Sequence, residues 1–300
     1  ALPDAPQKYI AANDLQRIYD LEHQRYFQQE RRNDLFPFAG FGGHDFALRR
    51  QVVDGDVSFN LDAANKAVKG GNARDLRMWM HTNPVVALRA ALDPANKLDN
   101  RREENGLTLV DITLAQGDKL TLAIRPPQNV PAWIRWVAPS VNLGEMTLTT
   151  HFSGYVPYEG VYLPLGYNTR QDWRNVEFLK MWIDGYRVNS AIPDLAAPAN
   201  LAEAPVNPNA RPAVVRPLQR GVWRIGGSVV IEFADHLTLF EAGGGPDRVR
   251  EMVALANTIV PGKKATMLIQ SHHHFDHTAG LRQAVAEGLT IISRRTNCSI

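Results

Sequence analysis

A dense group of metal-binding side chains follows a short apolar run late in the chain. Residues 271–280 read Ser-His-His-His-Phe-Asp-His-Thr-Ala-Gly, so four histidines and one aspartate fall within six residues. The mostly apolar residues 265–270 predict a buried strand, the spacing over residues 281–285 predicts a helix, and residues 289–293 predict another strand. The group is therefore expected on the strand-to-helix loop of a βαβ unit, at the sheet edge that carries binding sites in open α/β folds.

The composition of this group suits a borderline cation such as Zn²⁺, which takes imidazole and carboxylate ligands. In an extended backbone, His272 and His274 point the same way, and Asp276 and His277 can face a second position after a short turn. A run of surface histidines and a structural zinc clip are the alternatives. The complete spacing in a strand–loop–helix setting favours a catalytic metal site.

The pattern His-x-His-x-Asp-His resembles the signature of the metallo-β-lactamase superfamily of dinuclear metallohydrolases. The resemblance implies that His272 and His274 hold one metal ion and that Asp276 and His277 help to hold another. It therefore implies two Zn²⁺ ions in the complete enzyme. Ala279-Gly280 stands where the family often has two glycines.

The stretch before the histidine group also resembles the opening of that fold, which begins with consecutive hairpins. Short strands are predicted over residues 221–225, 229–233 and 236–241. Glu241 stands where many members of the superfamily place an acidic residue at a strand end. A helix with an apolar face follows the glycine-rich turn after it.

The function implied by the resemblance is zinc-dependent hydrolysis of a small molecule, with metal-bound hydroxide attacking an ester, lactone, thioester or β-lactam carbonyl. Asp276 would orient the attack. The superfamily fold has two similar halves, and its second half supplies further metal ligands. Because the sequence ends at Ile300, residues 218–300 are predicted to form only the first half of an αββα domain, to be completed by a missing C-terminal segment or by a homo-oligomer.

The first 190 residues predict a separate α+β domain. Helices are predicted over residues 13–29, 62–68, 74–81 and 84–92, with a strand and turn over residues 51–60. Antiparallel strands are predicted over residues 107–114, 120–124, 133–137, 145–155, 160–166 and 177–188. This order predicts a curved antiparallel sheet with helices on its concave side. It resembles the lipoprotein-carrier half-barrel over residues 8–190, which implies an alternative function as a non-catalytic carrier of an apolar ligand.

The prolines, the net charge and the apolar runs set further limits on domain organisation and function. Six prolines mark residues 191–217 as a semi-rigid, extended linker between the two predicted domains.

A formal net charge of +2 is too small to indicate nucleic-acid binding. No apolar run approaches the roughly 20 residues that span a bilayer. Cys298 is the only cysteine. The start Ala-Leu-Pro, without Met, is expected after removal of a leading segment, either as the signal peptide of a periplasmic or secreted protein or by design of the expressed chain.

Overall fold

The structure, a computed structural model, describes residues 12–32, 48–71, 73–140, 144–203, 212–272 and 275–295. The chain divides into two units, Ala1–Ala138 with Met146–Pro205, and Pro139–Glu145 with Val206–Ile300. Strands hold more residues than helices in both units, within the described ranges. The helices in those ranges are all too short or too polar to cross a membrane.

The first unit begins with a five-stranded antiparallel meander. Each strand pairs with the next one along the chain: β1 (Ala12–Asp20), β2 (Arg25–Arg32), β3 (Leu48–Asp54), β4 (Val57–Leu61) and β5 (Ala67–Lys69). The strand and turn predicted over residues 51–60 are present, and they belong to the hairpin of β3 and β4.

The predicted helix over residues 13–29 is wrong, because this stretch forms β1 and β2. Tyr26 is buried on one face of the sheet, in a cluster with Leu76, and Phe27 is buried on the other face, beside Leu195. A strand that is buried on both faces loses the two-residue alternation of apolar and polar positions. Its apolar residues then also fit helical spacing, which explains the error.

Aspartates make the turns that separate these strands. The Asp20 carboxylate accepts the backbone N–H groups of the second and third residues after it, at 3.1 Å each. The Asp62 carboxylate accepts those of the second and fourth residues after it, at 2.9 and 2.8 Å. The predicted helix over residues 62–68 is therefore wrong, since side-chain hydrogen bonds of this kind compete with helix formation.

Two helices follow, α1 (Ala73–His81) and α2 (Pro84–Leu92), as predicted for residues 74–81 and 84–92. Asn83 caps α2, because its side-chain oxygen accepts the N–H groups of Val85 and Val86 at 2.9 and 3.4 Å. A proline at the first helical position supports the same start.

The rest of the first unit is a seven-stranded antiparallel sheet in chain order. Its strands are β6 (Lys97–Glu104), β7 (Leu107–Thr113), β8 (Lys119–Arg125), β9 (Val130–Ser140), β10 (Gly144–Tyr158), β11 (Val161–Gln171) and β12 (Val176–Trp182), with one 3₁₀ turn at Trp173–Asn175. All strands predicted after residue 107 are present, although the last ends at Trp182. The unit thus contains two sheets rather than the single predicted sheet.

The beginning of the proline-rich segment packs on the first sheet. Leu195 is buried beside β2 and β3. The N–H of Ala197 donates to the Asp54 carboxylate at 2.9 Å, and the N–H of Lys69 donates to the carbonyl of Ala202 at 2.8 Å. These contacts make residues 195–202 part of the first unit's packing.

Within the described residues, the second unit is a six-stranded mixed sheet with three helices. Its elements, in chain order, are β13 (Val215–Gln219), β14 (Val222–Ile225), β15 (Ser228–Glu232), β16 (Leu237–Phe240), α3 (Pro246–Ala256), β17 (Ala265–Gln270), α4 (Phe275–Thr278), α5 (Leu281–Ala286) and β18 (Thr290–Ser293). Strands β13 to β16 are antiparallel, and β16, β17 and β18 are parallel neighbours. The predicted hairpins and βαβ unit are therefore present.

One apolar core holds the second unit together and fixes helices α3 and α5. Its buried side chains come from both the sheet and the helices, and include Ile225, Val230, Leu237, Leu239, Val249, Met252, Leu268 and Ala284. Helices α3 and α5 also pack against each other. The histidine loop, which is the loop between β17 and α5 that carries the histidines, is therefore anchored at both ends.

A buried ion pair joins α1 to both sheets of the first unit. Arg77 donates from Nη2 to Asp118, in the turn between β7 and β8, at 2.8 Å. Its Nη1 donates to the carbonyl of Gly55 at 3.0 Å and to the carboxylate of Asp56 at 2.8 Å, in the turn between β3 and β4. The Arg77 and Asp118 side chains are only 9% and 7% exposed. Replacing Asp118 would therefore remove the buried counter-ion of Arg77 and leave it with the exposed Asp56 carboxylate.

We predict that Asp118→Asn lowers the free energy of unfolding of the first unit by about 3 kcal/mol or more, because breaking a buried ion pair has a cost of that order. Asp99→Asn is the matched control, since Asp99 pairs with Lys97 on the surface and such pairs contribute about 0–1 kcal/mol. Urea unfolding followed by tryptophan fluorescence measures both. Equal losses in the two variants would contradict the role given to the Arg77–Asp118 pair.

Candidate metal centre

The site lies at the carboxyl ends of β16 and β17, which are parallel neighbours. Glu241 directly follows β16, His272 lies two residues beyond β17, and His277 is in the short helix α4. Neighbouring parallel strands end at the same edge of a sheet. Glu241 therefore meets His272 and His277 there, although it is distant from them in the sequence.

Glu241 is held in an uncommon backbone conformation. Its φ angle is 76°, in the left-handed region that costs a residue with a Cβ about 1–2 kcal/mol. Its N–H donates to the carbonyl of Ile269 at 2.9 Å, and its carbonyl accepts the hydroxyl of Ser228 at 2.8 Å. The N–H of Ala242 donates to the carbonyl of His277 at 3.1 Å. These hydrogen bonds fix the direction of the Glu241 side chain.

Gln270 ties the acidic residue to the histidine loop. Its side chain is buried at the end of β17, and its Nε2 donates to the Glu241 carboxylate and to the carbonyl of His272, at 2.8 Å in both cases. One amide group thus connects the end of β16 with the start of the loop that follows β17.

Both described histidines of the group have their Nδ1 atoms occupied by protein neighbours. Nδ1 of His277 lies 3.3 Å from the Glu241 carboxylate, and Nδ1 of His272 lies 2.8 Å from the hydroxyl of Ser271. Nε2 of His277 lies 3.3 Å from the Asp276 carboxylate. The two imidazole rings are close, with centroids 4.1 Å apart and planes inclined at 50°.

Glu241, His272 and His277 form a group that could hold a metal ion, since each offers one ligand atom and these atoms lie within 4.8 Å of one another. The donor set of two imidazoles and a carboxylate fits Zn²⁺. Glu241 is buried, whereas His272 and His277 are half-buried, so the group opens towards solvent on the histidine side.

The structure brings together most of the predicted site. His272 and His277 lie in the three-residue group, and Asp276 lies beside His277 with 43% of its side chain exposed. His274 lies outside the described residues. Gln270 was not predicted. The signal that could have revealed it is an amide residue that ends an apolar strand directly before the histidines.

The other described histidines have contacts of their own. His23 is in the turn after β1, not on a helix, and pairs with Asp20. His81 is buried, and burial lowers its pKa below the ordinary value. His151 lies on β10, where burial and then the charges of neighbouring arginines lower its pKa. His236 stacks on a phenylalanine and pairs with an aspartate. His44 is outside the described residues.

Comparisons with known proteins give limited information. No family model matches the chain, and no curated protein matches it. The metallo-β-lactamase FIM-1 from Pseudomonas aeruginosa, in its mono-zinc form, matches 30% of this chain and 45% of its own at 14% identity, with a TM-score of 0.27. A metallo-β-lactamase from Hirschia baltica matches 29% of this chain and 45% of its own at 20% identity, with a TM-score of 0.26.

The chain spans less than half the length of either of these two structures. The resemblance of residues 8–190 to the lipoprotein-carrier half-barrel, and the carrier function that it implies, stay predictions.

Gly280, directly before α5, fits a space that has no room for a side chain. A Cβ at this position would lie 2.5 Å from the carbonyl oxygen of Ala242 and closer still to the Val249 side chain of α3. The loop that carries the histidines can therefore approach the Glu241 strand end only because position 280 is glycine.

We predict that Gly280→Ala destabilises the second unit by about 1–3 kcal/mol, the usual cost of overpacking a well-packed region. The control is Gly244→Ala, because a Cβ there would have no neighbour within 4 Å and such changes usually stay within about 0.5 kcal/mol. Urea unfolding of the two variants, followed by circular dichroism, measures the difference. If Gly244→Ala costs as much as Gly280→Ala, the close approach is not what requires glycine at position 280.

Proposed function

We propose that this chain carries the metal centre of a zinc-dependent hydrolase of the metallo-β-lactamase superfamily. The observation that carries the proposal is that His272 and His277 meet the buried Glu241 carboxylate at one sheet edge, with side-chain nitrogen and oxygen atoms of the three within 4.8 Å of one another. The spacing His-x-His-x-Asp-His over residues 272–277 supports the same assignment. A surface run of histidines would not need a buried carboxylate beneath it.

In this proposal His272 and His274 hold one zinc ion, and Asp276 and His277 hold the second. Nε2 of His277 lies 3.3 Å from Oδ2 of Asp276. The two side chains would therefore be close enough to bind the same ion.

Glu241 has a positioning role in this arrangement. A histidine that binds metal through one nitrogen usually donates its other N–H to a carboxylate or carbonyl, which fixes the tautomer and the ring direction. The Glu241 carboxylate faces Nδ1 of His277, and the Ser271 hydroxyl faces Nδ1 of His272. Both rings are thus left with Nε2 for the metal.

Bound zinc would act as a Lewis acid and would lower the pKa of a coordinated water, which makes a nucleophile available at neutral pH. The chain's own contribution is to hold and orient. Asp276 is partly exposed beside His277, so its carboxylate can accept a hydrogen bond from the attacking water. The Gln270 amide donates to the Glu241 carboxylate and to the carbonyl of His272, and these hydrogen bonds hold the start of the histidine loop in place.

The substrate in this proposal is a small molecule with an ester, lactone, thioester or β-lactam carbonyl. The periplasmic or secreted location and the boundaries at residues 190 and 217 also remain predictions. So does completion of the site by a further segment or a second copy.

The metal assignment can be tested by calorimetric titration with Zn²⁺. We predict that His272→Ala and His277→Ala each weaken binding strongly, and that Glu241→Gln weakens it by about 10–100-fold, the usual effect of losing an orienting partner of a ligand. His236→Ala is the control, because His236 pairs with Asp235 away from the group. Equal zinc affinity in His236→Ala and His272→Ala would contradict the assignment.

A second measurement tests the reaction. Chromogenic esters, lactones and β-lactams are incubated with the zinc-loaded protein, with and without a chelator. We predict turnover that the chelator removes and that Asp276→Ala reduces by about a hundredfold, since a misplaced nucleophile loses rate on that order. Turnover that Asp276→Ala leaves unchanged would rule out the orienting role of Asp276.

A further inference from the structure

The first unit contains a polar cavity of about 190 Å³ that the proposed hydrolase chemistry does not use. One wall is the first sheet, which contributes Gln28, Gln51, Ser58 and Asn60, and the opposite wall is α1, which contributes Asp75, Leu76 and Trp79. The lining is mostly polar, which does not suit the apolar ligand expected of a half-barrel carrier.

The amide side chains form one row across three neighbouring strands. Gln28 of β2 is the register partner of Gln51 of β3, which in turn is the register partner of Asn60 of β4. Ser58 lies two residues before Asn60 on the same strand, so its side chain points to the same face. The sheet thus presents a patch of neutral hydrogen-bonding groups to the cavity.

Several of these groups have no protein partner within the described ranges. Gln28 accepts from Tyr26 at 3.0 Å and donates to Oε1 of Gln51 at 2.8 Å, which leaves the Gln51 amide nitrogen unused. The side chains of Asn60 and Ser58 make no side-chain hydrogen bond there either. Donors and acceptors are therefore both available to a molecule in the cavity.

We infer that this cavity binds an uncharged, hydroxyl-rich ring, such as one monosaccharide unit. Each hydroxyl both donates and accepts, which matches the mixture of amide and hydroxyl groups on the sheet wall. A cavity of about 150 Å³ holds benzene, so about 190 Å³ suits a single six-membered ring with its substituents. Leu76 and Trp79 provide apolar contact for the C–H groups of the ring, and the Asp75 carboxylate disfavours anions.

Saturation-transfer NMR on the full chain tests this inference with the methyl glycosides of glucose, galactose, mannose and N-acetylglucosamine. At least one glycoside is expected to bind in the millimolar range. Asn60→Ala and Gln51→Leu should each weaken it about tenfold, because each removes a hydrogen bond to the ligand. Gln29→Ala is the control, since Gln29 neighbours Gln28 on the opposite face of β2 and bonds instead to the Asp14 carbonyl.

Two further probes separate the alternatives. Cyclohexanol has a similar ring with one hydroxyl, and tetramethylammonium tests for a cation held by Asp75. The inference is overturned if no glycoside binds, if cyclohexanol or tetramethylammonium binds as tightly as the best glycoside, or if the pocket variants bind as tightly as Gln29→Ala. Because Asn60 is exposed, its replacement leaves a folded protein for the comparison even if Gln51→Leu does not fold.

Discussion

The arrangement of the second unit's site depends on one hydrogen-bonded contact between two strand ends. The amide nitrogen of Gln270 reaches both the Glu241 carboxylate and the carbonyl of His272, at 2.8 Å each. Other described links between the end of β16 and this loop are the backbone hydrogen bond of Ala242 to His277 and the Glu241–His277 side-chain contact. With the Gln270 amide, the direction of the acidic side chain and the start of the histidine loop are set together. The left-handed backbone at Glu241 is maintained by the same surroundings.

The candidate ligands of this site were easier to predict from the sequence than the side chains that support them. His272, Asp276 and His277 could be proposed as ligands because their spacing resembles a metal-binding signature, and the structure places their side chains near one another. Gln270 could not, because a glutamine at the end of a strand has no distinctive spacing, and its role depends on a contact with Glu241 across 29 positions of sequence. Glu241 was noticeable only as an acidic residue after a strand, and its left-handed backbone carries no sequence signal.

The fold of the second unit was also easier to predict than that of the first. Its strands and helices are short and separated by glycine-rich turns, so the pattern changes clearly from one element to the next. In the first unit, β2 is buried on both faces and β1 packs Tyr19 and Ile18 on opposite faces, so the alternation that marks a strand is lost. Strand β6 was missed for the opposite reason. Its sequence, Lys-Leu-Asp-Asn-Arg-Arg-Glu-Glu, is charged and exposed, as is common for a strand at the edge of a sheet.

The burial of Glu241 links metal binding to the order of the site. Its side chain is 11% exposed, and the protein gives its carboxylate hydrogen-bond partners rather than a lysine or arginine in the pairs described. Taking a carboxylate out of water costs several kcal/mol unless charge and hydrogen bonds compensate for it. Asp276 adds a second acidic group beside His277. A divalent cation bound by the histidines would bring positive charge close to the Glu241 carboxylate. Zinc binding should therefore also stabilise the histidine loop, because a metal that binds the folded site adds its binding free energy to the stability of the fold.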